Sequence, residues 1–449
     1  MTANENTAPA PSRLRSPGFK LFIIGLLTVL MAVPLLFIEL ALNDREERAS
    51  EAAQDIAQGY GGAQTVAGPI LFVPYELTTT SIVDGRTVES TQAYTAALLP
   101  STLDLDTGAP TSTRARGIFE VPVYRAAVRM KAFFDRDSLA ALTPQGASVL
   151  WKDAYVAVMV SDVRGLTGNV TMQVNGKSAA FQPGVGVDGS AAPGIHAPLD
   201  LDAPPDGLSL VSDITLRGSR ELNFAALGRQ TTARLVSAWP DPSFSGVFLP
   251  NTRTVTAKGF DAVWNVPYLA RGYGQSFGAP ETALNTAASA TFGVKFYQPV
   301  DFYQLVQRSL KYAILFVGLA FLVFFVCETI MGRRLHGAQY ALMGAAQVLF
   351  YLLLLSFAEH IGFAWAYAVA AAATVTLTAL YAISLFAGRA RAAILFAVLA
   401  ALYGLLYVLL VQEDYALLIG ALVLFFALGA TMYTTRRLDW SRIAPEPAG

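Results

Sequence analysis

The residue types best suited to chemistry stand at Glu359 and His360, adjacent to each other inside a tract that is otherwise apolar. A carboxylate beside an imidazole can exchange protons near neutral pH, as acid–base catalysts and proton-coupled transporters require. A second acidic pair, Glu413 and Asp414, interrupts the same tract further along the chain. What either pair does depends on the elements that position it.

The elements around these pairs are apolar segments of membrane-spanning length. A bilayer core of about 30 Å needs about 20 apolar residues per helix. Pro34 is expected to kink the first of these segments. The sequence predicts one N-terminal span followed by a five-helix bundle over 309–435. The six spans are 19–42, 312–331, 338–357, 361–387, 392–411 and 415–433.

The basic residues predict how these spans are oriented, because cytoplasmic loops are enriched in Lys and Arg. One side of the membrane receives every basic residue that lies next to a span in a short loop or tail: Arg13, Arg15, Lys20, Arg333, Arg334, Arg389, Arg391, Arg436, Arg437 and Arg442. Both termini, a disordered segment 1–18 and a tail 436–449, are therefore expected in the cytoplasm. Residues 43–308 are expected on the periplasmic side.

This topology predicts a rim of charged residues at the outer mouth of the bundle. Glu359 and His360 lie there with Glu413 and Asp414, while Arg308 and Lys311 lie at the outer entry of the second span. We interpret the rim as interfacial charges that mark helix ends and dock the exported domain. A proton-handling or ligand site at the same mouth stays open as an alternative.

The exported region reads as a large, mainly β domain, for which we predict an antiparallel β-sandwich. Residues 127–133 alternate apolar and basic side chains, and 153–162, 213–219 and 292–300 are further candidate strands. Asp84-Gly85 and Asn175-Gly176 are typical of hairpin turns. A helix over 44–58 continues the first span, and 137–144 is a short helix. Asp104-x-Asp106 and Asp200-x-Asp202 are expected in solvated loops.

Several classes of function find no support in the composition. One cysteine, Cys327, and three scattered histidines, His196, His336 and His360, argue against a zinc site. We predict no cofactor and no metal. We also predict no nucleic-acid partner, since no Lys/Arg-rich run is present. No nucleophile–histidine pattern is recognisable, so an enzyme is not predicted. A transporter would need a cavity lined by Gln347, Thr374 or Thr376.

Several stretches together resemble the CreD family of inner-membrane proteins. The runs that carry the resemblance are RGIFEVPVYRA (116–126), SDVRGL (161–166), LRGSRELNF (216–224), SAWPDPSFSGVFLP (237–250), PVDFYQLVQRSLKYAILFVGLAF (299–321), LSFAEHIGFAWAY (355–367), LYGLLYVLLVQEDYALL (402–418) and MYTTRRLDW (432–440). They extend over nearly the whole chain from Asp44 to Trp440. The resemblance implies an inner-membrane protein of Gram-negative-type bacteria, connected with envelope stress and a two-component regulon. It implies no catalytic residues.

The function expected from these observations is non-enzymatic support of cell-envelope integrity or the stress response. The partners expected are membrane lipids and an unidentified periplasmic or inner-membrane protein. Two alternatives remain open: a transporter or lipid-handling protein, and an enzyme at the membrane surface. The latter requires Glu359, His360, Glu413 and Asp414 to converge on a pocket.

Overall fold

The computed structural model describes residues 17–83, 86–168, 170–296, 302–331, 335–386, 389–412 and 415–436. The chain divides into two compact units. The helical unit comprises Met1–Arg48 and Val300–Gly449, and the β-unit comprises Ala49–Pro299. The expected termini, the Asp84-Gly85 turn and the pair Glu413 and Asp414 lie wholly or mostly outside the described residues.

The helices follow the apolar segments and extend beyond them. In chain order they are α1 Pro17–Leu30, α2 Ala32–Tyr60, α3 Arg136–Ala140, α4 Tyr268–Arg271, α5 Pro280–Ser289, α6 Phe302–Met331, α7 Gly337–Ile361, α8 Phe363–Phe386, α9 Arg389–Val411 and α10 Ala416–Thr435. Within the described residues, five helical segments are long and apolar enough to cross a membrane, and Leu417–Tyr433 is a shorter apolar one. The expected combination of membrane-length helices with a β domain is thus confirmed in outline.

Two boundaries have a clear local cause. α1 ends at Leu30, four residues before Pro34, because a proline ring clashes with the carbonyl of the residue four positions earlier. α6 begins at Phe302, ten residues before the apolar span 312–331. Hydropathy marks only the part of a helix that crosses hydrocarbon, so the first turns of α6, which are more polar, were not included in that span.

The strands of the β-unit are β1 Gln64–Val83, β2 Arg86–Leu98, β3 Thr102–Gly108, β4 Thr111–Arg116, β5 Phe119–Asp135, β6 Ser148–Val149, β7 Tyr155–Val160, β8 Thr171–Val174, β9 Lys177–Ala180, β10 Gln182–Pro183, β11 Gly194–Pro198, β12 Gly207–Ser219, β13 Glu221–Ala225, β14 Gln230–Ser237, β15 Pro242–Gly246, β16 Thr252–Thr256, β17 Gly259–Pro267, β18 Ser276–Phe277 and β19 Thr291–Phe296. Within the described residues they form sheets of ten and nine strands. The central paths run β10-β11-β7-β1-β13-β19-β15 and β16-β17-β14-β3-β5-β12-β8-β9.

The predicted antiparallel arrangement holds for most of the described strand pairs, but it is wrong for two of them. β1 pairs with β13 in parallel, as does β3 with β14, so both sheets are mixed. One hydrophobic core contains residues of both sheets, including Phe72, Phe134 and Trp264. The turn at Asn175-Gly176 is confirmed: both residues have positive φ, and Val174 lies opposite Lys177.

The exposed face of the nine-stranded sheet carries a row of alternating charges. Arg234 of β14 lies opposite Asp106 of β3. Arg129 of β5 lies between two acidic neighbours, opposite Asp106 on one side and opposite Asp213 of β12 on the other. Arg129 and Asp213 form an ion pair of 3.1 Å. The expectation that Asp104-x-Asp106 forms a loop is therefore wrong, because Asp104 and Asp106 occupy outward positions of a strand, and Leu103 and Leu105, which alternate with them, face the core.

Candidate functional site: a carboxylate shared by three helices

Glu359 of the conspicuous acid–imidazole pair lies in the last turn of α7 and joins three helices. Its Oε1 accepts a hydrogen bond of 3.2 Å from the hydroxyl of Tyr303 in the first turn of α6. The same oxygen lies 3.7 Å from Nε of Arg45 in α2. Only 7% of the Glu359 side chain is exposed, whereas 43% of the Arg45 side chain is. A largely buried carboxylate is thus held by one neutral donor and one partly hydrated cation.

This arrangement compensates the cost of burying the carboxylate. A buried charge without partners costs several kcal/mol, and a hydrogen bond to a charged group contributes about 1.5–3 kcal/mol. Tyr303 is itself buried, at 5% exposure, so little water can reach its hydroxyl to replace the carboxylate as hydrogen-bond acceptor. The separation of 3.7 Å from Arg45 is that of an ion pair without a short hydrogen bond.

His360 does not share this environment. It is exposed, and its Nδ1 is 3.1 Å from the backbone carbonyl oxygen of Ser356, one turn back in the same helix. Adjacent residues of an α-helix are rotated by about 100° from each other, so Glu359 and His360 are directed to different surroundings. The convergence that a membrane-surface enzyme would need is absent for this pair among the described residues.

The other rim residues are placed less centrally. Arg308 and Lys311 follow Tyr303 within α6, where Arg308 is half-buried and Lys311 is exposed. Glu413 and Asp414 lie outside the described residues. The sequence reasoning missed Arg45 and Tyr303, the two residues that contact Glu359. Arg45 could have been found from its place in the charged run directly after the first span, whereas Tyr303 preceded the apolar span and gave no signal.

A second polar cluster lies at the opposite end of the helical unit. Glu328 is 25 residues beyond Tyr303 in α6, which corresponds to about 38 Å along the helix. Its carboxylate pairs with Lys20 of α1 and accepts hydrogen bonds from the hydroxyl of Tyr340 (2.8 Å) and the backbone N–H of Leu335 (3.1 Å). Lys20 also donates to the carbonyl of Leu335 at 2.9 Å. The cluster fastens α1 to α6 and α7.

The polar residues that a transporter would use in mid-membrane have different surroundings. The hydroxyl of Thr378 donates to the carbonyl of Thr374 at 2.8 Å, and Thr376 is exposed. Gln347 is buried, and its Nε2 has no hydrogen-bond partner in the described structure. An apolar groove lies between α8 and α9, but Gln347, Thr374 and Thr376 are not among the residues that line it. Within the described ranges, no three His, Cys, Asp or Glu side chains are grouped to hold a metal ion.

The run SDVRGL forms a network that ties three strands of the β-unit together. The carboxylate of Asp162 accepts two hydrogen bonds from the guanidinium of Arg164 (2.8 and 3.0 Å) and one from the N–H of Gly62 (3.1 Å). The hydrogen bonds from Arg164, with that from Gly62, hold the pKa of Asp162 below its ordinary value. Buried Gln64 donates to the carbonyls of Asp162 and Arg217 at 3.0 Å each. The run therefore has a structural role.

Comparison with known proteins places the chain in a family. The family described as "Inner membrane protein CreD" matches residues 16–441. The inner membrane protein CreD of Escherichia coli (strain K12) is 32% identical over 429 residues, covering 95% of this chain and 94% of that protein. Two crystal structures of an M1 zinc metallopeptidase from Deinococcus radiodurans align at 12% and 11% identity. The alignments cover 44% of this chain and 41% of the peptidase in one case, and 78% and 96% in the other. Their TM-scores of 0.20 and 0.21 are too low to indicate a common fold. The resemblance seen in the sequence is thus confirmed, and the chain belongs to the CreD family of inner membrane proteins.

Proposed function

We propose that this protein supports the integrity of the cell envelope without catalysing a reaction, by coupling a periplasmic β-unit to a helical unit in the inner membrane. The observation that carries the proposal is the position of Glu359. This one buried carboxylate contacts Arg45 in α2 and Tyr303 in α6. These are the two chain segments that lead to the β-unit.

The connectivity of the chain gives this contact a mechanical meaning. The chain passes from the helical unit to the β-unit after Arg48 and returns at Val300. Arg45 lies three residues before the first passage, and Tyr303 lies three residues after the second. A displacement of either segment therefore changes the surroundings of the same carboxylate at the end of α7. In this proposal, a partner that binds the β-unit alters the helical unit through Glu359.

The topology that goes with this function has six spans and both termini in the cytoplasm. The concentration of Arg and Lys on one side of the spans supports it. α10 would be the sixth span, since its 20 residues correspond to about 30 Å, the thickness of the hydrocarbon core. We infer that the two sheets form a sandwich around their common core. The partner would be a periplasmic or inner-membrane protein of the envelope.

The proposal is tested by cutting the protein from the periplasmic side. In spheroplasts of a strain that lacks its own family member, Glu359→Gln and Tyr303→Phe should be cleaved between the two units several times faster than the parent protein. Glu359→Gln removes the charge that attracts Arg45, and Tyr303→Phe removes the hydrogen bond. Both variants should also lower survival of the cells in detergent. The cleavage rate is measured by immunoblotting of a C-terminal tag.

His360→Gln is the matched control, because His360 is adjacent in sequence and outside the contact. Lys311→Glu and Glu413→Lys extend the test to the rest of the rim and should also accelerate cleavage. Equal cleavage and equal survival for Glu359→Gln, Tyr303→Phe and the control would contradict the coupling. A β-unit inaccessible to protease in spheroplasts, but accessible in inverted vesicles, would contradict the topology.

A further inference from the structure

An apolar groove of about 560 Å³ lies between α8 and α9. On α8 it is lined by small side chains, from Ala364 through Ala368 and Ala372 to Val375, and on α9 it extends from Phe396 to Tyr407. Both helices belong to the segments long and apolar enough to cross a membrane, and both leave most of their surface uncovered by protein. The groove does not depend on Glu359 or on the proposed coupling.

The length of the groove corresponds to one leaflet of a bilayer. Ala364 and Val375 are eleven residues apart on α8, as are Phe396 and Tyr407 on α9. Eleven residues of helix extend over about 16 Å, and half of a hydrocarbon core is about 15 Å. Because the helices are antiparallel neighbours, both stretches cover the same half of the membrane, at the end away from Arg389. The groove thus extends from one membrane surface to the middle.

The width of the groove favours a hydrocarbon chain over another helix. The empty space of the groove, its open side included, is about 1050 Å³, and over a length of about 16 Å this gives a mean cross-section of about 65 Å², at most about 9 Å across. An α-helix with its side chains is about 10–12 Å in diameter. The alanines would allow close helix packing, but a helix could enter a groove of this width only with the side chains of one face, whereas a single hydrocarbon chain can lie along its whole length. An extended acyl chain fits this width.

The chemistry of the walls leads to the same occupant. The hydroxyl of Tyr367, one of the residues that line the groove, donates to the carbonyl of Tyr403 at 2.6 Å and is already satisfied. At the outer end, Trp365 is 72% exposed, in the position where an indole interacts with the headgroup region. We propose that the groove binds an acyl chain of a phospholipid in this leaflet, with Trp365 next to its glycerol backbone.

The test fills the groove from the side where there is space. Nothing lies within 4 Å of a Cβ added at Gly404, which lines the groove, or at Gly429, an exposed glycine of α10. Gly404→Leu and Gly429→Leu are therefore matched variants: both add a leucine to an exposed helix surface, and only the first enters the groove. The full-length protein is reconstituted in nanodiscs of phosphatidylethanolamine and phosphatidylglycerol that contain chain-labelled, paramagnetic phosphatidylglycerol.

Electron paramagnetic resonance then gives the number of motionally restricted lipids per protein chain. Gly404→Leu should lose about one restricted lipid per protein chain relative to the parent, and Gly429→Leu none. Ala372→Phe fills the groove from α8 and should repeat the loss, which decides the question if Gly404→Leu does not fold. An unchanged signal in the groove variants, or an equal loss in Gly429→Leu, overturns the proposal. A parent dimer that Gly404→Leu converts to a monomer overturns it in favour of a second copy.

Discussion

Removal of the Lys20 ammonium should loosen the end of the bundle around Glu328. The Glu328 side chain is only 9% exposed, and Lys20 is its one cationic partner among the described residues. Breaking a buried ion pair costs about 3–5 kcal/mol, because the remaining charge stays buried and uncompensated. Lys20 itself is 24% exposed, so water already weakens the pair. We therefore expect Lys20→Met to lower the free energy of opening of this part of the bundle by about 2 kcal/mol.

The chain contains its own reporter for this loss. Cys327 is its only cysteine, is 8% exposed and directly precedes Glu328 in α6. A thiol this buried reacts with a maleimide only when the surrounding structure opens locally. A loss of about 2 kcal/mol raises the open population roughly 30-fold. The rate of labelling of purified protein in detergent, below its melting temperature, should therefore rise by about that factor.

Two further variants separate this explanation from a general effect of the substitution. Lys311→Met removes the same charge from an exposed position of α6 that lies 17 residues, or about 26 Å, from Glu328 along the helix, so the labelling rate at Cys327 should stay within about twofold of the parent. Lys20→Met combined with Glu328→Gln removes the stranded charge and should return the rate toward that of the parent. Labelling of Lys20→Met at the parent rate would refute the reasoning, as would a double variant that labels faster than Lys20→Met alone.

Three predictions concern the β-unit and are measured by tryptophan fluorescence during unfolding. Arg164 lowers the pKa of Asp162 in the folded state, so ionised Asp162 stabilises the fold above its unfolded pKa of about 4, and this stabilisation is lost as the pH falls through the folded pKa. Asp162→Asn removes the titrating group, so the free energy of unfolding should decrease less steeply below about pH 4. Gly165→Ala should lower the free energy of unfolding by about 1–3 kcal/mol, since the added Cβ would overlap a backbone carbonyl of β12. Gly59→Ala should raise it by about 0.5–1 kcal/mol, because the space around an added Cβ at this position of α2 is open. Trp264→Ala should lower the free energy of unfolding by about 3–5 kcal/mol, because Trp264 is fully buried in the core that both sheets share.

The features that the sequence predicted correctly all have local causes. The kink expected from Pro34 corresponds to the interruption at Met31 between α1 and α2, and the turn at Asn175-Gly176 depends on the tolerance of both residues for positive φ. The membrane-length helices follow from uninterrupted apolar composition. In each case the determining residues lie within one turn or one segment, so no knowledge of the tertiary fold was needed.

The features that were missed depend on contacts between distant parts of the chain. The parallel pairing of Gln64 with Leu222 joins strands more than 150 residues apart, and no pattern within either strand distinguishes it from an antiparallel pairing. Tyr303 was missed because it precedes the apolar part of its helix, and its contact with Glu359 exists only once α6 and α7 pack. Side chains in a site are brought together by packing, which composition does not reveal.

The pair Glu359 and His360 illustrates why adjacency in sequence is a poor guide to a shared site on a helix. One step along α7 separates a carboxylate held by two other helices from an imidazole in contact with its own helix. The carboxylate's partners come instead from positions more than 50 residues before it in one case and more than 300 in the other. If Glu359 acted chemically with His360, His360→Gln would reproduce the effects of Glu359→Gln. If Glu359 acts by fixing α2 and α6, Tyr303→Phe will reproduce them and His360→Gln will not, because only the Tyr303 hydroxyl contacts the same carboxylate.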